Sequence, residues 1–438
     1  MNIKREEILP GVFLNHLQSE KFKTSCLSLS LLSQLSRETA SMNALIPAVL
    51  RRGTVSCPDM ESISARLDNL YGTVIEPSVR RVGEVQAVGF VSSFPESAYL
   101  PGREDILREV CGFLSEMLLS PLTRGGLFLP AYVDSEKEKL IDIINGLINE
   151  KRSYALTRCV QEMCCFEPMS VGRWGSVDDC MAINYKKLTR QYRSLLLTSP
   201  VEIFYCGRES FGKVSKCLED AFCTLPRGEI DYDIGTEIRL NSVEEGPRYY
   251  EEELDVTQGK LVIGFRLGDC MMEPDLAAMY VFNAVYGSGV TSKLFMNVRE
   301  KLSLCYYAAS MLDWHKGLLL VSSGIEFSNL DAAKDEIMHQ LDEVKNGNIT
   351  EEELAYAKAG IKSDFKALLD SQMEMESFSF ANIIEGSDAS PEELSALVDE
   401  VSFGDVVSIA NSLECDMIYF LKGPETGCTD VEAAENDD

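Results

Sequence analysis

At 438 residues the chain exceeds what one hydrophobic core serves and fits two domains of roughly 200 residues each. Its 41 basic and 70 acidic residues give a formal charge of −29, which repels nucleic acid and anionic membrane and excludes both as expected partners. The N-terminal MNIKREEILPGVFLNHLQSEK has no apolar run fit for a signal peptide, and no later stretch offers about 18 uninterrupted apolar residues, so a cytoplasmic location is expected.

In chain order, an N-terminal strand is expected to carry His16, and Thr24 to Leu32 partly alternates as a strand before Ser36 opens a helical stretch ending at Gly53. A second helix takes Pro58 in its first turn, Met60, Ile63, Leu67 and Leu70 as its stripe, and Gly72 at its end. Thr73 to Arg81 and Glu84 to Ser93 flank Gly83 as a hairpin, and a helix runs from about Arg103 to Leu119. Ser135 with Glu138 suggests a capping box for a helix striped by Leu140, Ile144, Leu147 and Ile148, and Val201 to Cys206 closes the half as a strand.

The series then restarts. KLVIGFRLG is a strand from about Gly259, with Pro274 to Tyr286 and Thr291 to Lys301 as helices and Leu304 to Leu312 with Gly317 to Gly324 as a hairpin. Ser328 and the Thr350/Glu353 box are expected to cap two further helices, and Met417 to Leu421 is the last strand. Shared order and spacing imply a duplication: a half over 1–225, a linker over 226–256, a half over 257–425 and an acidic tail over 426–438 with almost nothing to bury.

The chemistry-bearing residues are few. Fourteen cysteines are dispersed without any CxxC, including the adjacent Cys164 and Cys165, so reduced core thiols are expected rather than disulfides or zinc ligands. The histidines His16, His315 and His339 are far apart, so no two-histidine helical zinc site forms, and a Ser/His/Asp triad fails as well, since only His315 has an obvious carboxylate neighbour, the turn residue Asp313. Gly287, Ser288 and Gly289 lie between two helices and could present amides to a peptide or an anion, or simply turn the chain; GxxxxGK[ST] is absent. Arg299 and Tyr306, seven residues apart, could donate together to the carbonyls of an extended peptide, or serve as a solvated arginine and a sheet-filling tyrosine.

The run YGSGVTSKLFMNVREKLSLCYY, Tyr286 to Tyr307, resembles the second-half signature of the insulinase-like M16 peptidases, and nearly the whole chain fits that family's organisation. The resemblance is closest to a short, non-catalytic bacterial branch associated with a protein-modification pathway. It implies an α+β protein of two homologous LuxS/MPP-like halves, each an antiparallel sheet packed by helices, joined by a linker into a clamshell. Active members carry HxxEH, two zinc-binding histidines and a glutamate that activates water. The corresponding positions here are Ala44, Pro47 and Ala48, with Asn145 at the later glutamate and Glu138 at a supporting acid. Lys293 replaces a usual arginine.

The resemblance therefore implies no catalytic residue and no metal in this chain, with zinc expected in an HxxEH-bearing partner subunit. Arg299, Tyr306 and the Gly287, Ser288 and Gly289 turn are the residues it assigns to a peptide substrate. A scaffold in a protein-modification pathway, with no bound peptide, is the alternative, and an active peptidase with a rearranged metal site the remote one.

Overall fold

A computed structural model describes residues 3–102, 104–387 and 389–424. Arg103, the expected start of a helix, and the acidic tail 426–438 lie outside the described residues.

The first half opens with strands β1 (Lys4–Leu9), β2 (Val12–Gln18) and β3 (Thr24–Gln34), then helices α1 (Ala40–Leu50) and α2 (Met60–Asn69). The hairpin β4 (Val74–Val82) and β5 (Val85–Pro95) leads to α3 (Ile106–Leu119), a two-residue ladder β6 (Thr123–Arg124) and β7 (Leu127–Phe128), and α4 (Pro130–Gly146). Then come α5 (Lys151–Met163), α6 (Val177–Met181), α7 (Tyr185–Thr198), β8 (Val201–Gly207) and α8 (Phe211–Phe222).

The second half comprises β9 (Arg248–Glu253), β10 (Gly259–Arg266), α9 (Leu276–Tyr286), a π-helix over Leu294–Lys301, β11 (Cys305–Asp313) and β12 (Leu318–Ile325). Helices α10 (Leu330–Lys345), α11 (Glu351–Leu368), α12 (Gln372–Glu385), α13 (Pro391–Glu400) and α14 (Phe403–Ser412) precede the last strand, β13 (Glu414–Lys422).

The duplication is visible in strand order. The first sheet runs β1-β2-β8-β3-β5-β4 and the second β9-β13-β10-β12-β11, so the two superpose apart from the extra edge strand β1. Pairing is antiparallel as expected except at one matching place in each, where β2 with β8 and β9 with β13 run parallel. Strand β9 lies within the stretch expected to be linker; its burial alternates weakly, and it joins the second sheet through backbone pairing.

Other local expectations need correction. Ser135 does not cap α4, which begins five residues earlier with Pro130 in its first turn, where a missing N–H costs nothing. Ser328 sits in a single 3-10 turn, and α10 starts at Leu330 after Asn329. The Thr350/Glu353 box does form. The segment expected as an ordinary helix over Thr291–Lys301 widens into a π-helix from Leu294.

Alternation along the strands divides each sheet between two layers. On β3, Leu27, Leu29 and Leu31 join α1, α3 and α7 in the first core, while Cys26, Ser28, Ser30 and Leu32 face the other way. On β10, Leu261, Ile263 and Phe265 join the second core with α9, α10 and α14, and Val262 faces away from it. These remaining faces are covered reciprocally. Helix α5 of the first half lays Ala155, Cys159, Val160 and Met163 on Val262, Leu320, Met417 and Tyr419 of the second sheet. Helix α12 of the second half brings Met375 to Leu17, Cys26 and Phe204 of the first sheet, and Phe380 to Leu32, Val85 and Ala87. Gly264 permits the close approach of α5, because a Cβ there would stand 2.6 Å from Met163 Sδ.

Two buried ionic clusters fasten the seam. Lys316, 1% exposed at its side chain, meets Glu84 Oε1 and Glu167 Oε2, each at 2.7 Å. Arg266 binds Glu167 Oε1 at 2.6 Å and Asp416 Oδ2 at 2.9 Å, and Arg248 reaches the other Asp416 oxygen at 2.8 Å. On the other side, Arg80 Nη1 pairs with the fully buried Glu376 at 2.6 Å, which also accepts from Ser28 Oγ at 2.6 Å. The clamshell is thus shut by contacts between its own halves. No helix among the described residues is long and apolar enough to cross a membrane.

Candidate functional site

Helix α1 holds Ala44, Pro47 and Ala48, the positions the resemblance sets against HxxEH. Ala44 and Pro47 are buried and Ala48 is half-buried, and Ala44, Leu45, Ile46 and Val49 belong to the first hydrophobic core. None of Ala44, Pro47 and Ala48 has a side-chain atom able to ligate zinc or take a proton, and Pro47 inside the helix has no backbone N–H. Asn145 and Glu138 are both exposed on α4. Just past α1, Arg52 Nη1 pairs with Glu136 Oε1 of α4 at 3.2 Å, with Lys139 on the same carboxylate at 2.7 Å. These residues do not fit a catalytic zinc ion.

The histidines are dispersed. His16 is buried on β2, stacked on Tyr205, with Nε2 2.8 Å from the Glu209 carbonyl. Burial, ahead of other effects, lowers its pKa. His315 lies 3.3 Å from Glu385, and His339 is exposed on α10. Among the described residues, no group of three or more His, Cys, Asp or Glu side chains could hold a metal ion. Two described cysteines, Cys165 and Cys223, are exposed; burial pushes the thiols of Cys26, Cys164 and Cys415 up to about 12.

The second-half residues occupy two places. Arg299 and Tyr306 line one open cleft of about 450 Å³ with Ser303, Leu304, Glu326 and Asn329. Arg299 rides the π-helix, whose wider turns are a recurrent feature of functional sites, and stacks 4.6 Å from the Phe295 ring centre. Tyr306 is the extra residue of a β-bulge: Cys305 pairs with Ile325 and Tyr307 with Gly324. It is 57% exposed, and β11 forms the edge of its sheet. The Tyr306 hydroxyl donates to Glu326, which raises its pKa, and Arg299 Nε lies 3.6 Å from Glu300.

The Gly287, Ser288 and Gly289 turn does not line this cleft. Gly287 ends α9 and its carbonyl accepts from the Ser310 N–H at 3.1 Å; a Cβ there would stand 2.5 Å from Ser310 Oγ and 2.7 Å from Leu294 Cδ1, so glycine is required by packing. Ser288 and Gly289 are exposed, Gly289 with φ of +115°. Lys293 is buried and binds both oxygens of Glu353, at 3.0 and 3.3 Å, tying the start of the π-helix to the cap of α11. Sequence reasoning missed Glu326, which comes from beyond the end of β12 and carries no local signal beside Tyr306.

Comparison with known proteins gives the family. The family model described as "Peptidase M16 inactive domain" matches residues 182–361. The chain is 32% identical over 417 residues to "Probable inactive metalloprotease YmfF" of Bacillus subtilis, covering 95% of this chain and 96% of that protein. Its fold is similar to a conserved protein from Enterococcus faecalis, with a TM-score of 0.86, 26% identity and 97% and 99% of the two chains covered. It is also similar to the peptidase M16 inactive domain from Pseudomonas fluorescens, with a TM-score of 0.74, 14% identity and 97% and 98% covered. At 32% identity over nearly the whole of both chains, and with the M16 family model matching its second half, the chain belongs to the M16 peptidase family as an inactive metalloprotease homologue.

Proposed function

We propose that this chain is the non-catalytic subunit of a heterodimeric M16-type zinc peptidase in the bacterial cytoplasm, and that its second half holds the substrate peptide. An HxxEH-bearing partner supplies the zinc and the water-activating carboxylate. The observation that carries the reading is the meeting of Arg299 and Tyr306 in one open cleft at a sheet edge, while positions 44, 47 and 48 of α1 carry no group able to ligate zinc or take a proton. A guanidinium and a phenol at one rim can both donate to peptide carbonyls.

The test begins with affinity capture of the tagged chain from its own cells, with mass spectrometry of proteins eluting at comparable stoichiometry. An HxxEH-bearing partner is expected. In the assembled complex, Arg299→Ala with Tyr306→Phe should raise KM for peptide about tenfold with kcat little changed, the loss of two hydrogen bonds made before the chemical step. Unchanged cleavage kinetics would remove both residues from substrate binding.

One observation favours a scaffold instead: Tyr306 already donates to Glu326, and Arg299 already lies beside Glu300. Under that reading a photocrosslinker at Ser288 or Tyr306 captures no peptide, and captured partners lack HxxEH.

A further inference from the structure

The cations at the seam of the halves are of two kinds. Lys316, Arg266, Arg248, Arg158 and Arg80 each hold a carboxylate at 3.1 Å or less. Arg152, exposed in the first turn of α5, makes no ion pair or hydrogen bond among the described residues. Lys260, half-buried on β10, donates only to the neutral Gln258 Oε1. In a chain with 70 acidic and 41 basic residues, two neighbouring cations without a carboxylate are an exception.

The fold brings the two together on Tyr307. Lys260 pairs with Gly324 of β12 and Gly324 with Tyr307 of β11, so the three stand in one row across the second sheet. A Cβ on Gly324 would collide with the Tyr307 ring, so glycine lets that ring lie across the sheet toward Lys260. Lys260 shares its face with Val262, the face that α5 covers, and α5 sets Arg152 on the same ring. The guanidinium carbon lies 4.3 Å from the ring centre and the Lys260 ammonium 5.8 Å. Stacking occupies the flat face of the guanidinium and leaves its in-plane N–H donors free.

Charge and shape then select the ligand. Burial first and Arg152 second lower the Lys260 pKa, and no acid acts against them. Glu252, separated from Lys260 by Leu421 of β13, is already held by Tyr154 at 2.6 Å, Tyr419 at 2.9 Å and Arg158 at 3.1 Å. A cation would be repelled at this place, and a neutral group would leave both charges unmatched. We propose that Arg152 and Lys260 form a binding site for a carboxylate, which the exposed guanidinium grips in its plane while the aliphatic stem packs on the Tyr307 ring. The group belongs either to a free aliphatic acid or to the C-terminus of a peptide. Tyr307 does not line the Arg299/Tyr306 cleft, and the assignment does not depend on the reading of that cleft.

The test is calorimetric titration of the full chain at low salt with n-butyrate, n-butanol, inorganic phosphate, and acetyl-tetra-alanine with a free or an amidated C-terminus. Saturable one-site binding of a carboxylate probe without binding of its neutral control is expected. Binding of n-butyrate identifies a free acid as sufficient, and binding of the free-terminus peptide alone identifies a peptide end. Arg152→Gln, an exposed change that leaves the packing of α5 intact, should weaken binding about tenfold. Lys260→Gln should weaken it roughly threefold, and Lys186→Gln, on the exposed face of α7, should leave it unchanged. No preference for carboxylate over the neutral controls, phosphate bound as tightly as carboxylate, or affinity unchanged in Arg152→Gln would overturn the assignment and leave Arg152 as a solvated cation stacked on a tyrosine.

Discussion

Replacing Lys316 by methionine should loosen the seam between the halves without disturbing either outer core. The side chain is 1% exposed and its ammonium is shared by Glu84 and Glu167, each at 2.7 Å. Glu167 would keep Arg266, but Glu84 would retain only longer bonds from the Glu237 N–H at 3.2 Å and the Met169 N–H at 3.4 Å. Breaking a buried pair while leaving one charge inside costs about 3–5 kcal/mol. At about 1.4 kcal/mol per factor of ten, amides whose exchange requires opening of the seam should exchange roughly 100-fold faster or more. Hydrogen exchange with mass spectrometry on peptides covering α5 and the β11–β12 hairpin measures this. Lys334→Met, which removes an exposed pair with Asp331, should change exchange within about 0.5 kcal/mol. Lys316→Met combined with Glu84→Gln should recover much of the loss, since the cost resides in the abandoned charge. If the single variant matches Lys334→Met, or the double variant is no better than the single, the ionic cluster does not hold the halves together.

Three further outcomes test the structure. Glu116 accepts from Thr54, Ser56 and Arg66; burial alone would raise its pKa, but these bonds outweigh it and bring the group down to about 2. A depressed carboxylate contributes stability that is present above its unfolded value of about 4.3 and lost as pH falls toward the folded one, so Glu116→Gln should flatten the urea-midpoint profile between about pH 4.3 and 2. Ala44→His, Pro47→Glu, Ala48→His and Asn145→Glu introduced together should lower stability and bind no stoichiometric zinc, since position 44 lies in the core; one equivalent of tightly held zinc by elemental analysis would refute this. Gly287→Ala should cost about 1–3 kcal/mol in denaturant unfolding because its Cβ meets Ser310 and Leu294, and a neutral effect would contradict that packing.

Local patterns revealed much of the architecture. Alternation in β3 and β10, the glycine-centred hairpin at Gly83, and the repeated order of elements are encoded in short windows, so the duplication was legible. That positions 44, 47 and 48 offer no zinc ligand was legible too, since it depends only on the side chains themselves. What escaped depends on distant partners. Ser28 and Ser30 look like the polar face of a half-exposed strand, yet they bind Glu376 and Arg80 under α12. The Arg248–Glu253 stretch looks like linker because its place in the sheet comes from backbone pairing rather than from apolar side chains. The π-helix carrying Arg299 arises from the register of backbone hydrogen bonds, which side-chain spacing does not report. Arg299 and Tyr306 were legible as a pair; the bulge that exposes Tyr306 and the Glu326 acceptor beside it were not.

The reciprocal placement of α5 and α12 alters what duplication means for this chain. The two halves exchange covers, so each exposes bare sheet when the other is withdrawn. Severing the polypeptide between Pro226 and Pro247 should therefore yield fragments that stay clasped, and that recombine when mixed but aggregate when expressed singly. On that outcome the connection between the halves is dispensable for cohesion, and their companionship is not.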